Sequence, residues 1–430
     1  MTETSAAADT PARSGVGRTA ASGAVGNVLE WFDFAVYGYM APFLSNLFFP
    51  SADPLSSLLA VYGAFAAGYV ARPLGGMVFG HLGDTIGRKF VMMASVTMMG
   101  VSTVAIGLLP TFEQIGPLAA VLLVVLRVCQ GISVGGEYTG SAVFVAERTP
   151  GHLRGLVTSF NVVGCIGGFV VGSALAATLT NLYSDAAMAA GVWRVPFLTG
   201  VVIMAAGIVL RRSLDDAGAV DRTEHKGQSP VRVALRDHWR DIVRIAAMAL
   251  SANVGFYLMF VFAISFLTDR MHVSTARAMD INTFCLVVML FVPVLSGFVS
   301  DRIGRKPVLL AGVAATILFA WPLWWMMHHH DVTTILLGQL GFALIFGWVF
   351  GTNPVAMAEA LPRHVRVTVL SIGYNCALAV FGGTAPAVAT WLIERTADDF
   401  SPVYYLIGMS FVTLVAVVTL PETRGRRLHG

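Results

Sequence analysis

The stretch GNVLEWFDFAVYG, from Gly26 to Gly38, is apolar and aromatic yet holds two acids, Glu30 and Asp33. Apolar sequence continues on both sides, so the stretch reads as part of a membrane-spanning helix. A carboxylate in hydrocarbon costs several kcal/mol, which makes an intramembrane acid a functional candidate wherever a partner can be found. Further apolar runs of about 20 residues, the length that crosses a bilayer core as a helix, recur along the chain. The 430 residues are 56% hydrophobic and only 12% charged, against about 25% charged in soluble domains. This composition predicts an all-α membrane protein and excludes a chain of two or three soluble domains.

Twelve spans are predicted, roughly 22–48, 57–80, 90–110, 117–146, 155–181, 192–211, 241–267, 278–300, 307–327, 333–360, 367–394 and 402–420. With the N-terminus inside, the cytoplasmic segments hold Arg88, Lys89, Arg148, Arg154, Arg302, Arg305, Lys306, Arg363 and Arg366 with both tails and the linker. The opposite face holds only Arg194, Arg270, Arg277 and Arg395. This positive-inside bias places both termini in the cytoplasm. The expected layout is a disordered tail over 1–21, a six-helix bundle over 22–211, a linker over 212–240, a second bundle over 241–420 and a short tail over 421–430. Within PVRVALRDHWRDIVRI, Val231, Leu235, Trp239 and Ile242 recur at helical spacing, which predicts an amphipathic helix on the membrane surface.

An internal repeat supports the division. GHLGDTIGRK (Gly80 to Lys89) and GFVSDRIGRK (Gly297 to Lys306) share G-x-x-x-D-x-x-G-R-K, and each joins the second and third spans of its half. The repeat implies two pseudo-symmetric six-helix bundles with the substrate path between them. Asp84, Arg88, Asp301 and Arg305 in these loops are expected to form a latch between the halves, or to serve only turn and topology.

Several stretches together resemble the metabolite:proton symporter family of the major facilitator superfamily. They are GNVLEWFDFAVYG, ARPLGG at Ala71 to Gly76, the two loops, RVCQGISVGGEYTG at Arg127 to Gly140, and Glu147 and Pro150 followed by LRG at Leu153 to Gly155. WRVPF at Trp193 to Phe197, GYN at Gly373 to Asn375 and FGGTAP at Phe381 to Pro386 complete the set. The resemblance spans all twelve segments and implies a transporter of the kind that carries proline and betaines, citrate, 2-oxoglutarate or shikimate. It also implies a bacterial inner-membrane location and agrees with a proton-linked acid in the first span facing an Arg in the fourth.

Depth along the helices suggests which charges meet. Asp33 lies about eleven residues into the first span, roughly 16 Å at 1.5 Å per residue. Arg127, about ten residues into the oppositely running fourth span, reaches the same level. Burial favours the neutral acid and a nearby guanidinium the charged one, so a pair that forms and breaks is a proton-coupling device; a purely structural ion pair is the alternative. Glu30 and Tyr37 share the Asp33 face at i−3 and i+4, and Glu30 has no assigned partner. Arg72 and Glu137 are expected at one deeper level, either as an inner gate or with Glu137 joining Arg148 and Arg154.

Substrate contacts are expected from Arg127, Tyr37, Gln130 and Asn161 in the first half and from Asn253, Tyr257, Tyr374 and Asn375 in the second. Arg127 is suited to a carboxylate, and each amide alone is better explained by helix–helix bonding than by the ligand. His328, His329 and His330 read as a solvated run beside an interfacial Trp cluster, and no metal site is expected. The four cysteines sit in apolar runs without CxxC spacing. The expected activity is proton-coupled uptake of a small carboxylate-bearing metabolite by a monomer in the lipid bilayer. No cofactor beyond the proton gradient, no nucleic acid and no enzyme chemistry are expected. Proton-coupled efflux, facilitated diffusion and a transporter-like sensor are the alternatives.

Overall fold

The structure, a computed structural model, describes residues 13–85, 88–135, 137–212, 230–426 and 428. Helices account for nearly all of it. Ten helical runs are long and apolar enough to cross a membrane. Arg13–Phe48, which carries the opening stretch, and Arg88–Leu108, apolar over Met93–Leu108, complete twelve spans. The first helix begins at Arg13, so the last part of the segment expected as a tail is helical. Of the linker, Pro230–Asp237 is a helix with Val231 and Leu235 exposed and Ala234 buried; the run expected to continue to Ile242 is broken at His238, and the exposed Trp239 opens the next helix.

Several spans depart from a plain helix; besides the three that follow, the sixth is interrupted at Thr199 and the eighth at Leu290 and Phe291. The fourth, expected as one run, is Leu118–Ser133 followed by Glu137–Arg148. The helix breaks at Val134 and Gly135, where the second span lies against it: a Cβ on Gly135 would sit 2.1 Å from the Gly76 nitrogen. The seventh span passes from Trp239–Tyr257 through a π-helical turn, Leu258–Phe262, into Ala263–Asp269. The eleventh repeats this with a π turn at Leu378–Gly382. Such turns interrupt the regular ladder and favour functional sites. The first frees the Met259 carbonyl to accept from Gln339 Nε2 at 2.7 Å.

Small residues hold the first-half helices together. A Cβ on Gly131 would lie 1.8 Å from the Gly68 oxygen, and one on Gly164 would lie 2.2 Å from the Ala24 oxygen. Backbones this close gain dispersion contacts, which drive helix association where no hydrophobic force operates.

The two halves meet at both faces. At the face bearing the basic loops, called the basic face here, Asp301 accepts from the Gly155 and Leu156 nitrogens, both at 2.8 Å. At the opposite face the Tyr62 and Ser265 hydroxyls are 2.9 Å apart, and Asn282 donates to Ser173 at 3.0 Å. Midway, the Tyr69 and Tyr257 hydroxyls meet at 2.7 Å.

Candidate functional site

The acids of the opening stretch have different neighbours. Glu30 accepts from Arg72 Nη2 at 2.6 Å, and both side chains are buried. The expected Arg72–Glu137 arrangement is therefore replaced on the Arg72 side, and the Glu137 side chain lies outside the described residues. Helix azimuth explains the difference: Arg72 projects from the second span toward the first, where the Trp31, Phe34 and Tyr69 rings lie 5.3, 5.3 and 5.7 Å from its guanidinium carbon. Guanidinium over aromatic faces at this range is attractive and partly replaces lost hydration.

Asp33 is buried, and its Oδ1 has no hydrogen-bond partner among the described residues. Arg127 acts on it as a nearby charge, but the expected direct ion pair is not formed. Arg127 Nη1 instead donates to Gln130 Oε1 at 2.6 Å, and Gln130 Nε2 donates to Thr103 Oγ1 at 2.7 Å. The Thr103 hydroxyl donates to the Met99 carbonyl at 3.0 Å and lies close enough to the Asp33 carboxyl to act on it. Arg127, Gln130 and Thr103 thus form a hydrogen-bonded row that ends beside the Asp33 carboxyl. Arg127 is further held over Tyr37, Phe34 and Phe65, at 4.3, 5.0 and 5.3 Å. Phe34 is therefore shared by the two arginines.

The remaining expected substrate residues fall into two groups. Tyr257, Tyr374 and Asn253 lie at the central boundary, where Tyr374 donates to Asn253 Oδ1 at 3.3 Å and its ring is 4.9 Å from that of Tyr138. Tyr37 and Gln130 belong to the Arg127 cluster. Asn375 instead donates to the Gly135 carbonyl at 3.1 Å, across the boundary and onto the broken fourth span. Asn161 is buried, and its carbonyl accepts from Asn27 at 3.4 Å.

At the basic face Arg305 donates to Asp301 at 2.6 Å and to Glu359 at 3.0 Å. Arg154 of the first half reaches the same Glu359 at 2.8 Å, and Arg366 of the second half reaches Glu147 of the first. The loop repeat explains Gly297 and Gly304: a Cβ on Gly297 would lie 2.5 Å from the Gly155 oxygen, and Gly304 has φ +110°. The side chains of Asp84 and Arg88 lie outside the described residues. Arg148 is exposed and lies over the Phe144 ring at 4.2 Å.

Sequence reasoning missed Thr103, Tyr69 and Glu359. Glu359 had a signal, because each Arg follows a Glu of its own half by seven residues (147 to 154, 359 to 366). Thr103 and Tyr69 had none, since a lone hydroxyl in an apolar run looks like any other. His328 differs from a solvated residue: it is stacked on Phe400 at 4.4 Å, and its Nδ1 lies 2.9 Å from the Trp324 carbonyl.

The comparisons agree with this architecture. The family model described as Major Facilitator Superfamily matches residues 23–386. The chain belongs to the major facilitator superfamily. It is 34% identical over 424 residues to the proline/betaine transporter of Escherichia coli K12, covering 96% of this chain and 84% of that one. It is 34% identical over 419 residues to the glycine betaine/proline/ectoine/pipecolic acid transporter of Dickeya dadantii, covering 95% and 83%. In fold it resembles a proton:xylose symporter bound to 6-bromo-6-deoxy-D-glucose, with TM-score 0.74 at 17% identity, over 96% of this chain and 98% of that one. Against the inward-open xylose transporter of E. coli the TM-score is 0.66 at 18% identity, over 96% and 98%. As a superfamily member this chain is a multi-pass membrane transporter and not an enzyme.

Proposed function

We propose that this transporter takes up a small carboxylate-bearing metabolite together with a proton, by alternating access between its two halves. The reading places it in a bacterial inner membrane as a monomer, with the basic face and both termini cytoplasmic. The names of its relatives favour a zwitterion such as proline or a betaine within that class.

The observation that carries the reading is the Asp33 cluster. A buried acid with an unpartnered oxygen among the described residues lies beside Thr103, which is linked to a buried guanidinium through Gln130. An acid so placed can hold or release a proton according to how far the guanidinium's charge reaches it. Small shifts of the third and fourth spans against the first change that reach. Rocking of the halves exposes the cluster to each side in turn, while the latch at the basic face keeps the inner side shut until substrate and proton are aboard.

Purified protein in liposomes tests this with radiolabelled glycine betaine, proline and organic acids. An inward proton gradient is expected to drive accumulation of one of them above equilibrium, and a protonophore to abolish it. Asp33→Asn is expected to lose uphill uptake and keep counterflow exchange. Uptake that only equilibrates, whether or not the gradient is present, would remove proton symport and leave facilitated diffusion.

A further inference from the structure

The Arg127 cluster is not the only intramembrane charge pair, and the second pair sits nearer the boundary between the halves. The hydrogen-bond and ring contacts of Arg127, with Gln130, Phe34, Tyr37 and Phe65, belong to the first half, and Tyr257 of the second half also lies near enough to act on its charge. Arg72 is surrounded differently. Trp31, Phe34 and Tyr69 pack around it from the first half. Tyr257 and Tyr374 approach from the second half, closely enough to act on its charge. Rocking of the halves therefore alters the surroundings of Arg72, with two second-half tyrosines near it, more than those of Arg127, with one.

Two further observations point to a ligand. Arg72 Nη2 is used by Glu30, but Nε and Nη1 are buried with no acceptor among the described residues. Unmet guanidinium donors in a dry site are costly unless an incoming group completes them. A small cavity also lies at the boundary, lined by Tyr138, Phe350, Asn353, Met357, Leu370 and Tyr374. The Asn353 Oδ1 is buried there without a hydrogen-bond partner among the described residues. Tyr374 belongs both to this cavity and to the surroundings of Arg72.

We infer that Glu30 and Arg72, with the rings around them, form the binding site for a small zwitterion, which aligns antiparallel to the Glu30–Arg72 pair. Its carboxylate takes the open donors of Arg72. Its ammonium, quaternary or not, lies toward Glu30 and the faces of Trp31, Tyr138 and Tyr374. Cations are attracted to aromatic faces, and quaternary ammonium groups are recognised in this way. A zwitterion adds no net charge to a buried neutral pair, whereas a plain anion or cation leaves one charge uncompensated in a region of low dielectric. This site rests on the uptake reading above and divides its labour: Asp33 and Arg127 handle the proton, Glu30 and Arg72 the solute, and Phe34 touches both guanidinium groups.

The test is equilibrium binding to the full chain in nanodiscs, by calorimetry at fixed pH with no gradient. The probes are glycine betaine, proline, choline as a cation without the carboxylate, and 3,3-dimethylbutanoate as the uncharged-head isostere of betaine. A zwitterion is expected to bind at least ~10-fold tighter than choline and 3,3-dimethylbutanoate. Arg72→Lys keeps the charge but loses the planar donor array, and is expected to weaken zwitterion binding at least ~10-fold. The double variant Glu30→Gln/Arg72→Gln removes both buried charges together, avoids a stranded ion and is expected to abolish the preference for zwitterions over the two isosteres. Equal binding of 3,3-dimethylbutanoate, unchanged affinity in Arg72→Lys, or an organic acid binding where no zwitterion does would each overturn the assignment. Zwitterion binding intact beside gradient-independent transport would sink proton coupling and leave this site standing.

Discussion

Arg154 of the first half donates to Glu359 of the second at 2.8 Å, and both side chains are buried. Glu359 also accepts from Arg305 and from the Thr423 hydroxyl, at 3.0 and 2.9 Å. The opposite crossing, Arg366 to Glu147, runs the other way between the halves. Charge-assisted bonds of this kind are about twice as strong as neutral ones. Glu359→Gln is expected to favour opening of the basic face by ~10-fold or more, ~1.4 kcal/mol. Electron–electron distances between spin labels at the basic ends of the fourth and tenth spans should lengthen in the variant. Unchanged distances would mean that the crossed pairs do not hold the face shut.

Thr103 is the narrowest link between Gln130 and Asp33. Its single proton can go to the Met99 carbonyl, 3.0 Å away, or to Asp33, while it accepts from Gln130. Thr103→Val keeps the shape and removes the hydroxyl. Uphill accumulation is expected to fall ~5-fold or more, ~1 kcal/mol, with exchange largely retained. Wild-type accumulation in Thr103→Val would show that the acid is governed through another route.

Gly131 and Gly63 lie in the packed first half but differ in room. A Cβ on Gly131 would meet the Gly68 oxygen at 1.8 Å, whereas one on Gly63 would have nothing within 4 Å. Gly131→Ala must push the second and fourth spans apart. A clear loss of thermal stability is expected for it, of the order of 1–3 kcal/mol for an overpacked contact. Gly63→Ala should melt like wild type. Similar melting of both variants would refute the close approach of these two helices.

Glu422 gives a pH prediction outside the spans. Partial burial pushes its carboxyl up, but the backbone N–H groups of Arg305, Arg424, Lys306 and Thr423 outweigh this and hold it below the usual carboxylate value. A depressed acid adds stability above its unfolded value, about 4.3, and loses it as pH falls through the lower folded value. Glu422→Gln is therefore expected to melt at lower temperature than wild type near neutral pH. The gap should narrow as pH drops below about 4. A gap independent of pH would mean that the carboxylate charge is not what caps the helix starting at Arg305.

The two loop repeats and the recurrence of apolar runs were enough to read twelve spans in two halves, and the distribution of arginine was enough to separate a basic face from its opposite. Both are properties of order along the chain: the length of a span, the hand of its charge and the register of a repeat need no neighbour to be seen. Depth was legible for the same reason, since a helix advances a fixed 1.5 Å per residue, and it brought Arg127 and Asp33 to one level. Partnership was not legible. Arg72 found Glu30, and Arg127 hydrogen-bonds to Gln130, and Gln130 to Thr103, instead of pairing directly with Asp33. Which way a side chain faces at a given depth depends on the rotation and spacing of its helix. Here those are set by backbone contacts at Gly68, Gly131 and Gly135 and by the break in the fourth span. Those contacts exist only once the helices are packed, so the fold was written in the sequence, while the pairing of its buried charges was decided by tertiary structure.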